Sequence, residues 1–192
     1  MMETLEIQPL TVATARKLAR GLPIAVSPVT LRPSCRGTSA PDSRLHTAFG
    51  AAWTAGSLVA MTRARVTRVT YHETTGVGGI VPYGRTSLPP VYRVLRAFAL
   101  PGATGALDVQ SSRPTHACGI GLRHPSGLRV LVANLRATDQ SVQLADLPAG
   151  PARARLLCGE NSRLAAPWRS RRTEPFTLPG YAVLQIDFAR PR

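Results

Sequence analysis

At Pro101 the periodicity of this 192-residue chain changes, and the change limits the folds open to it. Before that point, three segments with apolar residues at helical spacing alternate with two β-branched runs. After it, only short runs separated by turn residues remain. Helices alternating with strands predict βαβ units and a parallel sheet, because parallel neighbours need a long crossover between them. A succession of short strands predicts an antiparallel sandwich. The expected class is therefore α/β over residues 1–100, followed by an all-β domain over 101–192.

The first half reads as follows. Leu5, Leu10, Ala13 and Leu18 predict a helix over 4–20, with Arg16, Lys17 and Arg20 crowding its last turn and Gly21 as a stop. Pro9 places the start of the regular helix near itself, since proline suits a first turn. The run PIAVS (23–27) suits a buried strand, and a loop rich in Pro, Ser and Gly follows. A second helix is predicted over 45–64, carrying Phe49, Trp53, Leu58 and Met61, with Trp53 read as core. Gly50 and Gly56 each cost such a helix about 1 kcal/mol against Ala, which predicts close packing at both. A strand over 66–72, a Gly-rich loop and a Pro-started helix over 90–100 complete this half. The strands are almost continuously apolar or β-branched, which predicts burial on both faces. Two strands cannot close a sheet, so the segment reads as the last piece of a larger unit.

The second half contains ALDVQSS, HACGIGLRH, LRVLVANLRA, SVQLADL, ARARLLC and YAVLQIDF, parted by Pro-, Gly- and Asp-containing breaks. Strict alternation places Leu128, Val130, Val132 and Asn134 on one face, with Arg129, Leu131 and Ala133 on the other. HPSGLR reads as the hairpin turn between two of these strands.

Bulk properties narrow the function classes. The chain is 44% apolar and 18% charged, which suits a packed core. No apolar run approaches the ~18 residues of a membrane span, and the N-terminus lacks a signal-peptide pattern, so a cytoplasmic, membrane-free protein is expected. Cys35, Cys118 and Cys158 form no C-x-x-C pair, which suits free thiols, and the last two lie in apolar runs. The net charge of +14 raises nucleic acid as a partner. Every basic residue except Lys17 is arginine, however, and the arginines are scattered. The dense group at 169–172 has no interleaved aromatics and reads as a solvated patch, so no nucleic acid is expected. His46, His116 and His124 show no ligand spacing, so neither a metal nor a cofactor is expected. The stretch TTGVGG (74–79) lacks the Lys-Ser/Thr of a phosphate-binding loop.

Only ten acidic residues occur, and one closes a strand: in RVTRVTYHETTG (65–76), Glu73 stands where the β-branched run gives way to a loop. Asp42, in APDS, reads as a turn or helix cap. Glu3 and Glu6 belong to the start of the first helix. His72 should point to the strand face opposite Glu73, as a packed histidine rather than a base.

The stretches AVSPVTLRP (25–33), FGAAWTAGSL (49–58), VTYHETTG (69–76) and LPGYAVLQID (178–187), in that order, resemble the C-terminal part of the D-apionate lactonases. Those are sugar-lactone hydrolases with a glycosidase-like (β/α)8 barrel followed by a β-sandwich. The resemblance implies that 1–100 is the end of an incomplete barrel and 101–192 its sandwich. PIAVS would be the seventh barrel strand and RVTRVTYHE the eighth. Barrel sites lie at the C-terminal strand ends. Glu73 is thus implied as the catalytic carboxylate, with Thr30, Arg32, His72 and Thr74 as substrate-binding residues. The implied partners are a small sugar lactone and the remaining N-terminal barrel half. The alternatives are a non-catalytic remnant whose sandwich is only a scaffold, or a glycoside-hydrolase-like carbohydrate-binding protein.

Overall fold

The computed structural model describes residues 2–31, 42–76, 78–84, 87–158, 166–167 and 174–190. A 3-10 turn, Met2–Glu6, leads into α1, Ile7–Leu18. Pro9 lies in the first turn of α1, where its missing N–H has no intrahelical acceptor to lose. Gly21 leaves the helix at φ 91°, a conformation open to glycine at little cost. β1, Ala25–Val29, follows. A 3-10 turn, Ser43–His46, then enters α2, Ala48–Arg63. Asp42 caps that turn: its Oδ1 accepts from the Arg44 amide at 3.0 Å, and its Oδ2 meets the Arg44 guanidinium at 2.7 Å.

β2, Arg68–Tyr71, pairs with β1 in parallel, and α2 is the crossover between them. Two short segments, β3 (Glu73–Thr75) and β4 (Gly79–Val81), pair beyond β2, and α3, Pro90–Phe98, closes this half. The expected order of helix, strand, helix, strand, helix is present. Burial on both strand faces is not: Ala25, Ser27, Pro28, Arg68 and Thr70 are exposed. Only the helix-facing residues, Val26, Val29, Val69 and Tyr71, pack into the core, because two strands enclose no barrel interior.

The second half forms a six-stranded antiparallel sheet in the order β10-β9-β12-β7-β6-β5. Its members are β5 (Gly105–Val109), β6 (Ala117–His124), β7 (Gly127–Asn134), β9 (Ala152–Leu156), β10 (Ala166–Pro167) and β12 (Val183–Ala189). A two-stranded sheet of β8 (Gln140–Val142) and β11 (Phe176–Leu178) covers part of one face. His124 pairs with Gly127 across the β6–β7 hairpin. The alternation along β7 is as its sequence predicts. Val130 and Val132 join the core under β8 and β11, while Leu131 and Ala133 face the helices.

That helix-facing side joins the two halves. Cys118, Ile120, Leu122, Leu131 and Ala133 share one core with Ala51, Trp53, Val91 and Val94. Eleven of the sixteen residues of α2 are buried, as expected of a helix covered on several sides. Gly50 lies against the Leu45 carbonyl, and a Cβ at Gly56 would stand 2.6 Å from Leu5 Cδ1, so close packing explains both glycines. Polar ties cross the same junction. Arg63 Nε meets Asp108 Oδ1 at 2.6 Å, and Arg129, held within the sheet by Asp187 Oδ1 at 2.7 Å, donates across to the Ala97 carbonyl at 3.1 Å.

Candidate functional site at the C-terminal ends of β1 and β2

The two parallel strands set Ala25 opposite Arg68, Val26 opposite Val69 and Val29 opposite Tyr71. The register shifts between Val26 and Val29, a span holding Pro28, which has no N–H for a ladder. The Thr67 amide donates to the Ile24 carbonyl at 2.8 Å, and the His72 amide to that of Val29 at 3.1 Å. This pairing brings Thr30, His72, Glu73 and Thr74 to the same end of neighbouring strands. Arg32 lies outside the described residues, as do Cys35 and Arg169 to Arg172.

His72 turns the chain at this end. Its φ is 51°, in the left-handed region that non-glycine residues seldom enter. The ring goes inward, only 8% exposed, and its centroid lies 6.5 Å from that of Trp53 and 6.0 Å from that of Tyr71. Nε2 stands 3.5 Å from Thr54 Oγ1, at the outer limit of a hydrogen bond. Burial, with a smaller contribution from His46, lowers its pKa from 6.5 to about 4. At neutral pH the ring is therefore an uncharged packing element, and a weak base.

Glu73 goes the other way. It is exposed, and among the described residues its carboxylate has no ion pair or hydrogen bond. Thr74 beside it is exposed and Thr30 half-buried. A solvent-facing carboxylate at a strand end can take a proton from water or hold a ligand hydroxyl. The other acids of this half are placed elsewhere: Asp42 is held by Arg44, and Glu3 and Glu6 lie in the N-terminal turn. Among the described residues no group of three or more His, Cys, Asp or Glu side chains is placed to hold a metal. No helix among them is long and apolar enough to cross a membrane.

Two supports escaped the sequence reading. His46 Nε2 lies 2.7 Å from the Gly79 carbonyl, which only accepts, so Nε2 carries the proton and ties β4 to the turn before α2. Behind β2, Ser57 donates to Gln8 Oε1 at 2.7 Å and accepts from the Tyr71 hydroxyl at 2.8 Å. Burial pushes the Tyr71 hydroxyl up to about 12, so it stays a donor. Neither contact leaves a short-range signal, since its partners lie 14 to 49 residues apart.

Residues 1–102 match the family described as "D-apionate lactonase, TIM barrel domain", and 114–186 match "D-apionate lactonase, C-terminal immunoglobulin-like domain". No curated protein matches the chain. Among solved structures, the α-L-arabinofuranosidase of glycoside hydrolase family 51 from Thermotoga petrophila is similar at a TM-score of 0.65 and 13% identity, over 96% of this chain and 48% of its own. A family 30 endoxylanase from Clostridium papyrosolvens gives 0.63 and 10%, over 93% and 45%. A family 44 xyloglucanase from Paenibacillus polymyxa gives 0.62 and 12%, over 96% and 36%. At these identities the likeness is one of fold. The chain spans less than half the length of these solved relatives.

Proposed function

We propose that this chain, which belongs to the D-apionate lactonase family, carries part of the active site of a sugar-lactone hydrolase that converts D-apionolactone to D-apionate, with Glu73 as its working carboxylate. The observation that carries this reading is the exposed Glu73 at the C-terminal end of a parallel strand, where barrel enzymes hold their catalytic groups. Glu73 takes a proton from water as the oxygen attacks the lactone carbonyl. The tetrahedral oxyanion needs donors and the departing ring oxygen needs a proton. Thr30 and Thr74 are the substrate-binding candidates at the same mouth, with His72 behind them as packing, and Arg32, outside the described residues, is a candidate from the sequence alone. The parallel pair accounts for two of the eight strands of a barrel, so the activity calls for further strand–helix units.

The competing reading, a non-catalytic scaffold or a glycosidase-like sugar binder, differs in what it turns over. The test, run on the chain together with the remaining strand–helix units of the barrel, is acid release in a pH-stat from D-apionolactone, beside nitrophenyl release from aryl arabinofuranosides and xylosides. The proposal expects acid from the lactone alone. Turnover of the glycosides, or of nothing, contradicts it.

A further inference from the structure

The six-stranded sheet is thin over β6 on the side away from the helices. Cys118, Ile120 and Leu122 face the helices, so by alternation Gly119 and Gly121 take the opposite face and put no side chain there. Gly119 pairs with Val109 of β5 on one side and with Val132 of β7 on the other, and the three make a flat apolar strip across the sheet. A Cβ at Gly119 would stand 3.2 Å from Val109 Cγ1, so glycine keeps that strip low. β8 and β11 cover this face over β7 and β12, where Val130, Leu184 and Ile186 pack beneath them. Over β5 and β6 a cleft of about 800 Å³ remains, with Val109, Gly119 and Val132 among its lining.

The rest of the lining is polar. Gln110, Ser112, Arg113 and His116 come from the chain between β5 and β6, and Gln140 and Ser141 from β8. Arg113 is the one charged residue in the lining, and its guanidinium has no ion pair or hydrogen bond among the described residues. Its backbone is fixed, however. The Arg113 amide donates to Ser111 Oγ at 3.2 Å, and its carbonyl accepts from the His116 and Ala117 amides at 2.9 and 3.0 Å. His116 Nδ1 is enclosed, without a partner among the described residues. An unpaired buried N–H costs more than a bare ring nitrogen, so the proton sits on Nε2, which is left to donate. Gln110 donates its amide N–H to Asp108 Oδ2 at 2.7 Å, and Gln140 to the Asp139 carbonyl at 3.0 Å. Both Oε1 atoms therefore remain as acceptors.

We propose that this cleft binds a hydroxylated carboxylate of sugar size, a sugar acid. Arg113 takes the carboxylate through paired N–H bonds. The ligand's hydroxyls donate to the free oxygens of Gln110 and Gln140 and exchange hydrogen bonds with Ser112 and Ser141. Its carbons lie on the strip of Val109, Gly119 and Val132. The cleft has the volume of a small-molecule site, and its mixture of one cation, acceptors and hydroxyls selects the ligand class. A bare phosphate has no donors to offer the two glutamine oxygens, and a neutral sugar leaves the guanidinium unpaired. The cleft shares no residue with the mouth at Glu73, so the inference stands apart from the lactone chemistry proposed there.

The test titrates the isotope-labelled full chain with sodium D-gluconate and follows its amide resonances, beside D-glucose, sodium acetate and inorganic phosphate. Gluconate should give saturable shifts at Gly119, over 110–116 and at Gln140 and Ser141, with Thr30, Glu73 and Thr74 unmoved. Each of the other three should bind at least about tenfold more weakly. Arg113→Gln, at an exposed position, should keep the parent's circular dichroism and weaken gluconate binding by about tenfold or more. Ser141→Ala, at a second exposed position, should weaken it by about threefold, and decides the matter if the first variant loses its fold. The absence of a saturable shift, or gluconate binding that neither variant weakens, would overturn the inference. So would glucose, acetate or phosphate binding as tightly as gluconate, or shifts confined to the mouth at Glu73.

Discussion

Replacing His72 by Asn, which tolerates the left-handed backbone at this position, tests whether burial of a neutral imidazole shapes stability. The folded state holds His72 near pKa 4, against 6.5 for an unburied ring. Between these values the unfolded chain binds a proton that the folded chain refuses, so stability falls as pH falls. The full window corresponds to about 3 kcal/mol, and the step from pH 7 to pH 5 to about 2 kcal/mol. At a typical urea dependence this lowers the unfolding midpoint by about 1 M. Urea unfolding followed by circular dichroism at both pH values, for parent and variant, reads the effect directly. The variant should start less stable, since it loses the packing against Trp53 and Tyr71, but its pH 7 to pH 5 decrement should shrink by about the amount above. An equal decrement in both proteins would refute the assignment.

The remaining predictions concern the joined core, one tight helix contact and the thiols. Leu131→Ala, in the core that the sheet shares with α2 and α3, should cost about 2–4 kcal/mol and destabilise strands and helices in one transition, as seen by far-UV unfolding. Two separate transitions would mean that the halves unfold independently. Gly50→Ala should destabilise despite a helix-propensity gain of about 1 kcal/mol, because its methyl group meets the Leu45 backbone carbonyl. Gly56→Ala, opposed by the movable Leu5 side chain, should cost less in the same chemical denaturation assay. Cys118 and Cys158, whose pKa values burial pushes up to about 12 and about 11, should resist a disulfide-exchange reagent at pH 8 until the chain unfolds.

Much of the architecture was legible because it rests on short-range pattern. The β7 alternation assigns Val130 and Leu131 to different cores, and both are found there. Asp42 shows its capping role through its local sequence, and the Pro9 and Gly21 signals mark the ends of the first helix. What escaped depends on distant partners or on very short elements. β10 and β11 span two and three residues, too few for any period to emerge. The left-handed turn at His72 leaves no mark in a β-branched run, although strand alternation already places its ring as packed on the face opposite Glu73. Leu10 and Leu18 contribute to the helical pattern that predicts α1, yet they lie on its uncovered face, because periodicity does not say which apolar stripe is buried first. For the site, sequence position singles out Glu73 as an acid at a strand end. That it has no ion pair among the described residues emerges only in three dimensions, since pairing depends on side-chain direction.

The central claim is that Glu73 does chemistry on a sugar lactone. The measurement that bears on it most directly is the rate of D-apionolactone hydrolysis by the chain in complex with the remaining barrel units, with Glu73→Gln alongside. The account predicts turnover by the parent complex and a loss of about a hundredfold or more in the variant, with the complex still formed. Equal rates in the two complexes would contradict it.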